Sequence, residues 1–161
     1  MATKFSLSEF QEACQAQEPL GFDVLGAGLW QSKRVQLDQP FALVGSHRSA
    51  HVRWEDPELH PRHAYFQVIA GCVFGIDLET PSGTHWPGGR HGSGWVGPDD
   101  PLLLASRRVR ITQPSGTLDP SWNPLAPQSL RQGDAPDLRL EIRLGISTYT
   151  MRFVHGRRTP G

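Results

Sequence analysis

Cysteine is scarce in this chain of 161 residues, which contains only Cys14 and Cys72. Two cysteines are too few for the disulfide framework of a small secreted domain. The sequence also lacks Cys-x-x-Cys and His-Glu-x-x-His spacings, which argues against a zinc site built from the histidines at positions 60, 63, 85 and 91. We therefore expect a cytoplasmic protein that holds neither a metal nor another cofactor.

Net charge and long apolar runs are lacking as well. The 16 basic and 16 acidic side chains cancel to a formal net charge of +0. Such a chain has no overall field that would draw it to nucleic acid or to an anionic membrane surface. No stretch approaches the roughly 18 consecutive apolar residues that a membrane-spanning helix requires, and residues 1–13 contain no apolar signal region. We expect neither nucleic acid nor membrane among its partners.

Glycine and proline, by contrast, are abundant. With 17 Gly, 14 Pro and 37% hydrophobic residues, the composition favours an all-β domain of short strands joined by turns. Residues 87–94 are predicted to form a flexible glycine-rich loop, and Trp54 and Trp95 to fill the core. Alternating or continuously apolar segments predict strands at residues 22–25, 34–37, 41–44, 51–54, 64–70, 72–78, 95–96, 102–104 and 107–111.

The two ends of the chain differ from this central domain of residues 21–112. The N-terminal extension, residues 1–20, contains Phe10, Ala13 and Cys14 at helical spacing, which predicts a short helix over residues 6–16. Five prolines make residues 113–137 a predicted linker. Residues 138–161 are predicted to form a β-hairpin and a tail, because residues 138–144 alternate cleanly between apolar and polar. This hairpin either docks on the sandwich or a partner, or opens a second, truncated copy of the domain.

Three short motifs follow one another between residues 41 and 84. They read Val44-Gly45-Ser46, His60-Pro61-Arg62-His63-Ala64 and Asp77-Leu78-Glu79-Thr80-Pro81-Ser82-Gly83-Thr84. In this order and spacing, the region resembles a forkhead-associated (FHA) domain, whose pattern is Gly-Arg, Ser-x-x-His and Asp-Leu-x-Ser-x-Asn-Gly-Thr. The resemblance covers residues 22–112. It implies a β-sandwich of about eleven strands, without catalytic groups, that binds phosphothreonine peptides through loops at one end in phosphorylation-linked signalling.

Scaffold positions of the FHA pattern are kept in this sequence. Gly45 matches the first glycine of the pattern, and Gly83 and Thr84 match its last two residues. His63 matches the family histidine, which the resemblance implies is structural and supports the binding loop. We therefore predict that His63 is a buried, hydrogen-bonded histidine.

Ligand-contact positions, in contrast, are replaced. Ser46 stands where the family has the arginine that contacts phosphate, His60 stands where it has the phosphate-contacting serine, and Ser82 stands where an asparagine holds the ligand backbone. A guanidinium offers paired donors and a permanent charge, and hydrogen bonds to charged groups contribute about 1.5–3 kcal/mol each. A serine hydroxyl offers one neutral donor, so we expect phosphate binding to be weakened or lost.

Basic residues near these positions could compensate. His47, Arg48, His60 and Arg62 fall in the two loops that would flank a phosphate, whose charge of about −1.5 to −2 at neutral pH could be held by two cations. The alternative is that they are solvated loop charges without a special role.

The sequence thus predicts a non-enzymatic module whose partner is a phosphorylated or unphosphorylated protein. Two rival functions stay open. One is a phosphate-independent scaffold that binds protein surfaces by a sheet face or by strand addition. The other is a hydrolase that uses Ser82 or Ser93 with His85 or His91, which only their proximity in sequence supports.

Overall fold

The computed structural model describes residues 18–25, 32–69, 71–98, 100–114, 138–144 and 147–153, the last two ranges as backbone alone. The helix predicted at residues 6–16 and most of the proline-rich stretch lie outside these residues. The described residues contain no helix. Accordingly, they include no helix long and apolar enough to cross a membrane.

Twelve strands are present in the described residues. In chain order they are β1 Gly21–Leu25, β2 Ser32–Gln36, β3 Phe41–Val44, β4 Ala64–Ile69, β5 Cys72–Asp77, β6 Thr84–Trp86, β7 Gly89–Arg90, β8 Ser93–Val96, β9 Leu102–Leu104, β10 Arg107–Gln113, β11 Leu138–Leu144 and β12 Ser147–Phe153. They form a six-stranded sheet in the order β2-β1-β10-β9-β6-β7, a four-stranded sheet in the order β3-β4-β5-β8, and the separate pair β11-β12. All of the strand pairs are antiparallel.

The two larger sheets pack face to face around one hydrophobic core. Phe22 of β1 meets Phe66 of β4 edge-on across the sheets, with ring centroids 5.7 Å apart, and both side chains are 0% exposed. β10 alternates between exposed and buried residues, as a strand with one face on the core should. The prediction of an all-β sandwich is confirmed.

Two local predictions were wrong. Residues 51–54 do not form a strand; Val52 makes only an isolated parallel bridge to Val44. The backbone N–H groups of His51 and Val52 both donate to the carbonyl of Leu43, at 2.8 and 3.2 Å, so the segment turns along the edge of β3 instead of pairing regularly with it. Residues 87–94 are not one loop, because they contain β7 and the start of β8.

Candidate functional site

Three loops meet at one end of the sandwich: a first loop at residues 45–50, a second at residues 53–63 and a third at residues 78–83. Backbone hydrogen bonds hold the first two side by side, from Ser46 N–H to the His60 carbonyl and from His47 N–H to the Pro61 carbonyl, both 3.1 Å. A further bond of 2.9 Å joins His63 N–H to the Val44 carbonyl. The spacing of the first two loops is therefore set mainly by the main chain.

Gly45 allows this close approach. A Cβ atom at this position would lie 2.1 Å from the carbonyl oxygen of Pro61 and 2.9 Å from that of His60. Backbone atoms cannot move aside as the end of a flexible side chain can, so any side chain here would push the two loops apart. The glycine matched from the sequence is thus required by packing.

His63 links the second and third loops from a fully buried position, with 0% exposure. Its Nδ1 accepts a hydrogen bond of 3.2 Å from His60 N–H, so in the neutral ring the proton sits on Nε2. Nε2 lies 2.8 Å from the carbonyl of Gly83, to which it donates. Burial holds the pKa of His63 below its usual 6.5, which favours this neutral form.

Asp77 organises the third loop from the end of β5. Its Oδ1 accepts hydrogen bonds of 2.8 Å from the hydroxyls of Thr80 and Thr84, and its Oδ2 accepts one of 3.1 Å from Thr80 N–H. Thr80 Oγ1 in turn accepts from Gly83 N–H at 3.0 Å. Asp77, Thr80 and Thr84 are all buried, so this network fixes the loop from within.

Arg90 of β7 supports the third loop from outside. Its terminal nitrogen donates to the Thr80 carbonyl at 2.9 Å, and its guanidinium lies where a Cβ on Gly83 would point, with Nε only 2.4 Å from that position. Gly83 also has a φ of 76°, which favours glycine. Arg90 was not predicted from the sequence, because residues 87–94 were predicted to form a flexible loop. The short hairpin of β6 and β7 places Arg90 beside the third loop.

The serines at two of the three replaced positions of the FHA pattern bind the protein's own backbone. Ser46 donates its hydroxyl to the Leu59 carbonyl at 3.2 Å. Ser82 donates its hydroxyl to the Glu58 carbonyl at 3.0 Å. Both bonds end on the second loop, so the hydroxyls brace the three loops together.

Asp56 ties the second loop to the opposite sheet. Its Oδ2 accepts from both the backbone N–H and the hydroxyl of Ser106, in the turn between β9 and β10. Its Oδ1 accepts from Glu58 N–H at 3.0 Å. The bond from the Ser106 hydroxyl is the largest cause that holds the pKa of Asp56 below its usual value. The sequence reading missed this pair, which is separated by 50 residues in the chain.

Basic side chains lie around this end. Arg48 and His60 are exposed, while His47 and Arg62 are partly buried. The ring nitrogen Nδ1 of His47 accepts from Ser49 N–H at 3.0 Å, and that of His60 accepts from Arg62 N–H at 3.2 Å, so each histidine is folded back on its own loop. Among the residues that the structure describes, none of these four side chains forms an ion pair. No acidic side chain among the described residues therefore neutralises the guanidinium groups of Arg48 and Arg62.

Of the hydrolase alternative, the pair Ser82 and His85 is not arranged as a nucleophile and a base. The Ser82 hydroxyl is engaged with Glu58, and the His85 ring nitrogen lies 3.1 Å from the Ser82 carbonyl instead of the hydroxyl. The ring of His91 packs edge-on against Trp86. In the described ranges, no three His, Cys, Asp or Glu side chains converge as metal ligands would.

Lowering the pH from about 7 to about 5 is expected to reduce the free energy of unfolding more in the wild type than in a His63→Gln variant. The folded state holds the pKa of His63 below 6.5, whereas the unfolded chain takes up the proton near that value. The unfolded state then binds more protons, so stability falls as the pH drops below about 6.5.

Urea titrations at several pH values test this pH dependence. His91→Gln is the matched control, because that histidine is exposed. Equal pH slopes for the wild type and His63→Gln would contradict the assignment of a buried neutral His63.

Solved structures resemble this fold, although no protein-family model and no curated protein match the chain. An FHA domain studied for phosphothreonine-dependent interactions matches at 15% identity, covering 58% of this chain and 94% of that one, with a TM-score of 0.51. The FHA domain of FhaA, solved with the intracellular domain of Rv3910, matches at 15% identity with a TM-score of 0.51. The match covers 57% of this chain and 98% of that one. The FHA domain of CT664 from Chlamydia trachomatis matches at 18% identity with a TM-score of 0.50. The match covers 58% of this chain and 95% of that one. The chain therefore has the β-sandwich fold of forkhead-associated domains.

Proposed function

We propose that the protein is a non-enzymatic protein-interaction module that binds a phosphothreonine-containing segment at its loop end, with low affinity. One observation carries the proposal: the first and second loops, held side by side through their backbones, present Arg48 and Arg62 without an ion pair in the described chain. The FHA domains of similar fold include one studied for phosphothreonine-dependent interactions, which supports this choice of ligand.

Charge supports the choice of phosphate as the contacted group. A phosphothreonine carries about −1.5 to −2 charges at neutral pH and three acceptor oxygens. Arginine pairs well with such a group because its guanidinium presents several N–H donors in one plane. Since the protein as a whole has a formal net charge of +0, the attraction is local and acts over about one Debye length, roughly 8–10 Å at physiological salt.

The low affinity follows from how the two serine hydroxyls are used. Ser46 and Ser82 donate to carbonyls of Leu59 and Glu58, so a ligand must compete with these internal bonds. A lost hydrogen bond to a charged group costs about 1.5–3 kcal/mol, which corresponds to roughly a tenfold to hundredfold weaker complex. We therefore expect the affinity for a phosphothreonine peptide to be well below that of an FHA domain with arginine at the position of Ser46.

A double variant, Arg48→Ala with Arg62→Ala, is expected to weaken binding of a phosphothreonine peptide pool by about tenfold or more. Fluorescence anisotropy at moderate salt measures the affinity for this pool and for its unphosphorylated twin. Lys33→Ala is the charge control, because Lys33 is exposed on β2, an edge strand of the six-stranded sheet. Unchanged affinity in the double variant, with the phosphorylated pool still preferred, would contradict the basic site.

A phosphate-independent scaffold is the second candidate function. The observation that favours it is that Ser46 and Ser82 are turned inward to brace the loops instead of outward to a ligand. This function predicts that the wild type binds the phosphorylated and unphosphorylated pools equally, and that added salt has little effect. The same titration therefore separates the two functions.

A further inference from the structure

The four-stranded sheet is buried on both of its faces. Every residue of β4 and of β5 is buried. In a strand, alternate side chains point to opposite faces, and the face that carries Phe66 is the inner one, packed against Phe22. The register of the strand pairs then places on the outer face the buried residues Leu43, Tyr65, Gln67, Ile69, Cys72, Phe74 and Ile76, flanked on the outer strands of the sheet by the half-buried Phe41 and Trp95.

This outer face is strongly apolar yet hidden from solvent. Gln67 is 0% exposed, Phe74 1% and Ile76 2%. The Tyr65 hydroxyl donates a hydrogen bond of 2.9 Å to the Gln67 side chain, which satisfies part of the hydrogen-bonding capacity of these two polar residues. A two-layer sandwich would leave the outer face open to water on one side. A further layer of protein therefore covers it.

None of the described strands of the sandwich supplies that layer. The six-stranded sheet packs on the inner face, where Phe22 meets Phe66 and where Trp86 lies 3.4 Å from the Cβ position of Gly75. The second loop runs toward the turn between β9 and β10, to which Asp56 binds. The cover must come from another part of the same chain.

The hairpin of β11 and β12 has the matching pattern. Its register pairs Leu138 with Phe153, Leu140 with Met151 and Ile142 with Tyr149. These six positions alternate with the rest and fall on one face of the hairpin. The opposite face holds the positions of Arg139, Glu141, Arg143, Thr148, Thr150 and Arg152. An amphipathic two-stranded hairpin is marginal alone in water and needs an apolar surface to pack on.

We propose that the β11-β12 hairpin packs its apolar face on the outer face of the four-stranded sheet and forms a third layer of the domain. The chain can reach, because the residues between Pro114 and Leu138 span roughly 75 Å when extended, at about 3.3 Å each. A domain of about 100 residues has a radius of gyration of only about 13 Å. The N-terminal segment offers a smaller apolar stripe of Phe10, Ala13 and Cys14, so the hairpin is the better fit.

Cys72 reports on the cover, since its thiol lies on the outer face and the residue is 5% exposed. In a full-length Cys14→Ser background, Leu140→Asp with Met151→Asp places two acids on the apolar face of the hairpin. We expect this variant to react with a maleimide at Cys72 at least tenfold faster. Arg143→Asp with Thr148→Asp, a directly paired control on the polar face, should leave the rate unchanged.

Hydrogen exchange of β1 and β10 amides in the other sheet shows whether the sandwich stays folded in each variant. An unchanged Cys72 rate in a folded Leu140→Asp, Met151→Asp variant would overturn the proposal. So would a Phe10→Asp variant that exposes Cys72 when the hairpin variant does not, because the cover would then be the N-terminal segment.

A disulfide scan keeps the test valid if the acidic variant unfolds. Single cysteines at Leu140, Ile142 or Met151, in the Cys14→Ser background, should form an intramolecular disulfide with Cys72 under mild oxidation. Cysteines at Arg139, Glu141 or Arg143 on the opposite face should not. If no apolar-face position cross-links, or if both faces cross-link equally, the proposed packing is wrong. Neither readout depends on peptide binding.

Discussion

An Asp77→Ala variant is expected to lose about 3 kcal/mol of unfolding free energy. Two threonine hydroxyls and one backbone N–H donate to the carboxylate, all within 3.1 Å. Alanine would leave these buried donors without their acceptor, and hydrogen bonds to charged groups are worth about 1.5–3 kcal/mol each. The expected loss of unfolding free energy is smaller than the sum for three hydrogen bonds, because the substitution also removes the cost of burying the carboxylate charge.

The Asp77 effect is measured by urea unfolding followed by circular dichroism. Thr84→Val removes only one of the three bonds and should cost about 1.5 kcal/mol. Asp38→Ala, which removes an exposed carboxylate between β2 and β3, should be within about 0.5 kcal/mol of the wild type. If Asp77→Ala matched Asp38→Ala, the third loop would not depend on this network.

A Gly45→Ala variant is expected to be destabilised by about 3 kcal/mol and to lose peptide binding. The added methyl would meet the Pro61 carbonyl oxygen at 2.1 Å. Relief requires the first and second loops to separate, which lengthens the backbone bonds from Ser46 to His60 and from His47 to Pro61. Stability and recognition should fall together, because both depend on the same contact between loops.

Gly88→Ala is the control for Gly45→Ala, since a Cβ at Gly88 has no atom within 4 Å. It should change the free energy of unfolding by no more than about 0.5 kcal/mol. Wild-type stability for Gly45→Ala, measured in the same urea titrations, would show that the loops can separate without cost.

Most of the sandwich could be predicted from the sequence, because its strands alternate or are continuously apolar. β4 was predicted from alternation around Phe66 and Val68, and β5 from a more continuously apolar run. The segment at residues 51–54 also alternates, yet its N–H groups share the Leu43 carbonyl and no regular ladder forms. β7 has only two residues, Gly89 and Arg90, and such a short segment has no period to detect.

The candidate site was predictable where a motif fixes a residue and not where distant segments meet. Gly45 and His63 could be found by their spacing, and each has the burial and the contacts that a scaffold position needs. The bond between Asp56 and Ser106 depends on two loops from different sheets, and nothing local in either segment indicates it. The inward direction of the Ser46 hydroxyl likewise depends on where the Leu59 carbonyl lies.

The first and second loops keep their spacing mainly through main-chain bonds, and this separates the evolution of that spacing from the evolution of the side chains at the rim. Ser46, His47 and His63 donate their backbone N–H groups to carbonyls of neighbouring segments. Any residue except proline can supply such a donor. Side chains at the rim, such as Arg48 or Arg62, can therefore change by single substitutions while the frame stays intact. A domain built in this way can exchange one binding partner for another without first losing its fold.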